Sequence, residues 1–109
     1  MAHAERRREP RVPFTADAEI FDEAHDCRTM SKVRDLSLGG CYVEMADPFP
    51  PGKNLLIEIY TESEFLETHA TVAFLDSNRG MGLIFSVMQP FFLAILNKWV
   101  AQATLGQTH

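Results

Sequence analysis

Residues 12–21 read VPFTADAEIF and carry the clearest structural signal in the chain. From Phe14 to Ile20, apolar side chains alternate with Thr15, Asp17 and Glu19. Successive side chains of an extended chain point to opposite faces, so this period of two predicts a strand with one face in the core and the other in water.

Five further segments have β character, although the alternation of the first is weaker. They are Cys27–Val33, Cys41–Met45, Leu55–Thr61, Phe65–Leu75 and Met81–Phe85. Polar, glycine-rich or proline-rich turns separate them; residues 35–40 are one such turn, and the prolines of residues 47–52 cannot continue a strand because proline lacks the N–H that a ladder needs. Six short strands at regular spacing predict an all-β domain, either a barrel or a sandwich.

The end of the chain has a different period. In Pro90–Ala103, apolar residues recur at spacings of three and four, which predicts one amphipathic helix with a single apolar stripe packed on the core. The stripe comprises Phe92, Ile95, Leu96, Trp99, Val100 and Ala103. Pro90 is compatible with the first turn, where the missing N–H would have had no partner.

The charge is unevenly distributed. The chain has 109 residues, enough for one domain, and a formal net charge of -5. Residues 1–12 carry four arginines against two glutamates, whereas the rest of the chain carries six basic and thirteen acidic side chains. A basic segment on an acidic body indicates an interaction segment, and the acidic total disfavours loose binding of long DNA or RNA.

Location and redox state follow from what the sequence lacks. No apolar run reaches the ~18 residues of a membrane span, and no apolar stretch follows the N-terminal arginines as it would in a secretory signal. We therefore expect a cytoplasmic protein without membrane insertion. In that compartment Cys27 and Cys41 are expected to be reduced.

The sequence does not predict an enzyme. It has no phosphate-binding loop of the GxxxxGK[ST] type, no GxSxG nucleophile elbow and no HExxH. Histidines and cysteines are scattered, so no metal site, cofactor or catalytic residue is proposed. The acidic pairs Asp22/Glu23 and Glu62/Glu64 lie in polar turns and are interpreted as solvated carboxylates.

Two local patterns need a joint explanation. One is Arg7-x-x-x-Arg11 beside Arg6, and the other is the DxSxxG pattern of residues 35–40. Alone, the first is typical of a basic tail and the second of a capped turn. Together they suit a guanine nucleotide: arginine matches phosphate and the O6/N7 edge of guanine, and a carboxylate accepts from the N1–H and N2 donors.

With these motifs in this order, the chain resembles the PilZ domain, the bacterial receptor module for cyclic di-GMP. Arg11-Val12-Pro13 leads into the first strand and Gly80–Phe85 resembles the family's last strand. The resemblance runs from about Glu5 to about Ala103. It implies a six-stranded antiparallel β-barrel with a C-terminal helix.

The resemblance also implies the ligand-binding residues. They are Arg6, Arg7, Arg8, Arg11, Asp35, Ser37, Gly39 and Gly40. The arginines would lie on a flexible N-terminal arm, residues 1–12, attached to one domain, residues 13–103, with a tail at 104–109. Asp35 and Ser37 would hold a guanine, and the two glycines would allow close backbone approach. Because Arg6 precedes the RxxxR motif, the ligand is expected as an intercalated dimer.

The mechanism implied is that the ligand orders the arm and passes a signal to a protein partner whose identity is open. Two alternatives remain at this point. One is a nucleotide-independent adaptor of the same fold. The other is a small barrel that binds single-stranded nucleic acid, which the acidic body and the lack of an evident exposed aromatic platform disfavour. Phe74 is a candidate stacking residue, although a buried position in the barrel is the preferred interpretation.

Overall fold

The computed structural model describes residues 10–77 and 79–106. Its elements are β1 (Val12–Asp22), β2 (Cys27–Leu36), β3 (Gly40–Glu44), β4 (Asn54–Tyr60), β5 (Phe65–Asp76), β6 (Gly80–Phe85) and α1 (Pro90–Gly106). The six strands and the helix are those that the sequence predicted. The helix ends three residues beyond the predicted boundary.

The strands form a closed barrel in the order β1-β2-β3-β6-β5-β4. Every neighbouring pair is antiparallel, and β1 closes the barrel by pairing with both β2 and β4. Closure leaves none of the six described strands with an unpaired edge. The fold is therefore the barrel and not the sandwich.

The barrel interior holds the apolar half of each alternating strand. Its largest fully buried side chains include Ile20, Leu36, Ile57, Leu66 and Leu83. The helix packs against β1 and β5, and its buried residues are Leu96 and Trp99. The Trp99 ring stacks on Phe14 with centroids 5.4 Å apart. The predicted apolar stripe of the helix is thus part of the core.

Two acidic side chains are not the solvated carboxylates that the sequence suggested. Asp22 is 4% exposed and lies 2.9 Å from both Lys53 Nζ and His25 Nδ1; the hydrogen bond from Lys53 is the main reason why its pKa lies below the ordinary value. Glu64 accepts a 3.0 Å hydrogen bond from the Trp99 indole N–H and pairs with Lys98. Each carboxylate links its own segment to another part of the fold: Asp22 of β1 to Lys53 before β4, and Glu64 before β5 to the helix.

β2 continues further than the alternation predicted. The predicted strand ended at Val33, but pairing resumes at Asp35 and Leu36 after a register shift between Val33 and Asp35. One extra residue in a strand reverses the phase of its alternation. Because of this bulge, Asp35 and Leu36, which the sequence pattern assigned to a turn, belong to the strand.

The two cysteines are free thiols. Cys27 is exposed at the start of β2 and Cys41 is buried inside the barrel. Burial raises the pKa of Cys41 to about 12, so that thiol stays protonated. Among the described residues, no helix is long and apolar enough to cross a membrane.

Candidate nucleotide-binding site

The two sequence motifs meet where the N-terminal segment enters the barrel. Pro13 is paired with Asp35 across β1 and β2, so Arg11 emerges beside the end of β2. Arg11 Nη1 lies 2.6 Å from Asp35 Oδ1, and both side chains are partly exposed, at 45% and 33%. The structure therefore brings together one arginine of RxxxR and the aspartate of DxSxxG. Arg6, Arg7 and Arg8 lie outside the described residues.

Ser37 forms the centre of the turn between β2 and β3. It is 5% exposed, and its Oγ accepts hydrogen bonds from the N–H groups of Gly39 (3.2 Å) and Gly40 (3.1 Å). Its own N–H donates to the Gly40 carbonyl at 2.8 Å. The Ser37 hydroxyl therefore holds the motif turn in shape.

Gly40 is required by the close contact of β3 with β6. A Cβ placed on Gly40 would lie 2.0 Å from the carbonyl oxygen of Leu83, well inside van der Waals contact. On the preceding residue, the Gly39 carbonyl accepts a 2.8 Å hydrogen bond from the N–H of Phe85. The last glycine of the motif thus has a structural role in barrel closure.

A row of outward positions leads from Asp35 across three further strands. Asp35 is paired with Tyr42, Tyr42 with Gly82, and Gly82 with Phe74. The rings of Tyr42 and Phe74 have centroids 6.4 Å apart and an interplanar angle of 24°. This row, Asp35–Tyr42–Gly82–Phe74, presents a carboxylate at one end and an exposed aromatic ring at the other.

Phe74 is 44% exposed, so the preferred interpretation of a buried aromatic was wrong. The alternation of β5, with Leu66, Ala70 and Val72 inward, would place residue 74 inward too. A register shift between Val72 and Phe74 turns the ring outward instead. The ring lies over Gly82, where an added Cβ would be 2.1 Å from Phe74 Cε2. An aromatic platform is therefore present on the surface.

Tyr42 is the residue of this row that sequence reasoning missed. Its hydroxyl donates a 2.7 Å hydrogen bond to Asp76 Oδ2. Desolvation, followed by that hydrogen bond, raises the pKa of Tyr42 to about 12, so the phenol is neutral and held in place. Only the strand register puts Tyr42 beside Asp35, and no local motif signals it.

The arrangement provides hydrogen-bond acceptors, a cation and a flat apolar surface, which together suit a planar polar ring with an anionic group. Within residues 10–77 and 79–106, no group of three His, Cys, Asp or Glu side chains could hold a metal ion.

Comparison with known proteins identifies the class. The family model for the PilZ domain matches residues 5–102, and the chain belongs to this family. The family consists of cyclic di-GMP-binding and adaptor domains and is not generally enzymatic. Comparison with curated proteins gave no match.

Several solved structures share the fold. The PilZ domain of YcgR from Escherichia coli, with c-di-GMP, is 17% identical with a TM-score of 0.73, and the match covers 93% of each chain. The Bacillus subtilis inhibitor of motility MotI/DgrA is 24% identical with a TM-score of 0.75. That match covers 91% of this chain and 51% of MotI, so the chain spans about half the length of that protein.

Proposed function

We propose that this protein binds cyclic di-GMP through Arg11, Asp35 and the Phe74 surface, together with Arg6, Arg7 and Arg8. The observation that carries the proposal is the Arg11–Asp35 pair at one end of the row that ends in Phe74. Membership of the PilZ family and the c-di-GMP complex of the YcgR domain support the choice of ligand.

The guanine would exchange hydrogen bonds with the ion pair. Asp35 would accept from the N1–H and N2 donors of guanine, while Arg11 would turn to the O6/N7 edge or to a phosphate. A solvent-exposed ion pair is worth about 0.2–1 kcal/mol, and a bidentate arginine–guanine contact contributes about 1–3 kcal/mol. The free energy lost when the Arg11–Asp35 ion pair opens is therefore smaller than the free energy gained from the new contacts with guanine.

Phe74 would stack on a base, a contact worth about 1–3 kcal/mol. Ser37, Gly39 and Gly40 would contribute by fixing the turn that carries Asp35, and Arg6–Arg8 would neutralise the phosphates of an intercalated ligand dimer.

In this proposal the ligand draws the N-terminal arm onto the barrel and so changes the surface offered to a downstream protein in the bacterial cytoplasm. The alternative function, a nucleotide-independent adaptor, makes the opposite prediction for the ligand. It requires protein binding without any nucleotide.

Isothermal titration with cyclic di-GMP tests the proposal. Asp35→Asn, Arg11→Ala and Phe74→Thr should each weaken binding about 5- to 150-fold, because each removes about 1–3 kcal/mol of contact. Asp47→Asn and Arg28→Ala change the same charges on exposed side chains outside the row and should bind like the wild type. No heat of binding with the wild-type protein would refute nucleotide recognition and leave the adaptor function.

A further inference from the structure

A second surface lies on the outer face of β1, β4 and β5. Glu19 of β1 is paired directly with Glu58 of β4, and Glu58 is paired directly with Glu67 of β5. We call these three residues the carboxylate row. Like charges directly opposite each other destabilise a sheet, so this arrangement works against the barrel's own stability.

The neighbouring groups compensate the row only in part. Arg28 Nη1 lies 3.5 Å from Glu19 Oε1, and the Tyr60 hydroxyl donates to Glu58 and lies 3.3 Å from Glu19 Oε1. Within residues 10–77 and 79–106, neither Glu58 nor Glu67 takes part in an ion pair. The face therefore keeps a net negative charge.

Aromatic rings continue this face onto the helix. Tyr60 is paired with Phe65 next to the carboxylate row, with ring centroids 6.4 Å apart. Phe65 contacts Phe92 at 5.7 Å, and Phe92 contacts Phe91 at 5.4 Å. Phe65 and Phe91 are 44% and 70% exposed. We call these four residues the aromatic ladder.

We propose that the carboxylate row and the aromatic ladder together dock a protein segment in which basic residues, above all arginine, alternate with apolar ones. Arginine pairs with carboxylates and stacks on exposed aromatic rings, so both halves of the face suit the same side chain. A second copy meeting this face through the same face would place carboxylates against carboxylates, and nucleic acid would be repelled.

This surface is distinct from the candidate nucleotide site. The carboxylate row crosses β1, β4 and β5, whereas the row that starts at Asp35 crosses β2, β3, β6 and β5. The docking proposal therefore stands without nucleotide binding. If the nucleotide proposal and the docking proposal are both correct, the carboxylate row and the aromatic ladder provide a contact surface for the downstream protein.

The test uses the full chain and a short labelled peptide in which arginine alternates with leucine, measured by fluorescence anisotropy at low salt. Glu58→Gln/Glu67→Gln should weaken peptide binding about tenfold, given two ion pairs worth about 0.7 kcal/mol each. Asp26→Asn/Asp47→Asn makes the same change in net charge elsewhere and should leave binding unchanged. Equal losses in the two double variants, or none in the first, would overturn the proposal.

The aromatic half is tested by Phe91→Ser, which replaces a largely exposed side chain and should preserve the fold. It should weaken the peptide about two- to fivefold, the effect of one exposed cation–π contact. Met30→Thr removes an apolar side chain that is 65% exposed on β2 and should have no effect. The docking surface would be refuted if Phe91→Ser bound the peptide as tightly as the wild type, or if the wild-type protein did not bind the peptide. The proposal would also be refuted if the wild-type protein sedimented as a dimer and Glu58→Gln/Glu67→Gln sedimented as a monomer. The occupant of the surface would then be a second copy of the chain.

Discussion

Replacing Gly40 by alanine should destabilise the barrel severely, although it adds only one methyl group. The new Cβ would lie 2.0 Å from the Leu83 carbonyl oxygen, which is itself backbone and cannot rotate away. To reach ordinary contact, β3 and β6 must separate by about 1.4 Å, which overpacks the core and breaks ladder hydrogen bonds. Overpacking costs about 1–3 kcal/mol and each lost hydrogen bond about 1 kcal/mol, so we expect a loss of about 3–5 kcal/mol.

The loss can be measured by urea unfolding followed through the fluorescence of Trp99, the only tryptophan and a buried one. Gly106→Ala is the matched control because nothing lies within 4 Å of its added Cβ. It should leave the unfolding midpoint unchanged or raise it slightly, since alanine favours a helix. A Gly40→Ala protein that unfolds within about 0.5 kcal/mol of the wild type would refute the structural role of this motif glycine.

Two further predictions concern titratable groups. The pKa of Asp22 is lower in the folded chain than its ordinary value of 3.8, so its ion pair with Lys53 stabilises the fold fully above that value and is lost as the pH falls through the folded pKa. Asp22→Asn should therefore reduce stability at pH 7 and flatten the decline below pH about 4 in acid unfolding curves; an unchanged acid limb would contradict this. A disulfide exchange reagent should label the exposed thiol of Cys27 rapidly in the native protein. Cys41 should react only on unfolding, because it is buried and its pKa is raised to about 12. Rapid labelling of both thiols would contradict the buried position of Cys41.

Local sequence patterns were sufficient to predict which segments are strands and which is the helix. The alternation in residues 12–21 places Ala16, Ala18 and Ile20 inward, and the spacing of Leu96 and Trp99 defines the inner face of the helix, because both patterns are local. The RxxxR and DxSxxG motifs also singled out Arg11 and Asp35, whose side chains lie 2.6 Å apart in the structure; their role in ligand binding stays a prediction.

Strand bulges and register depend on tertiary contacts and could not be predicted from local patterns. A bulge at Val72/Phe74 turns Phe74 out to the surface, and another at Val33/Asp35 extends β2 to Leu36. One inserted residue reverses the side-chain phase of a strand, and the partner strand, not the local sequence, sets where it falls. Hairpin register likewise placed Tyr42 beside Asp35 and Glu67 beside Glu58. Glu19 comes beside Glu58 because β1 and β4, which are distant in sequence, become neighbours when the barrel closes.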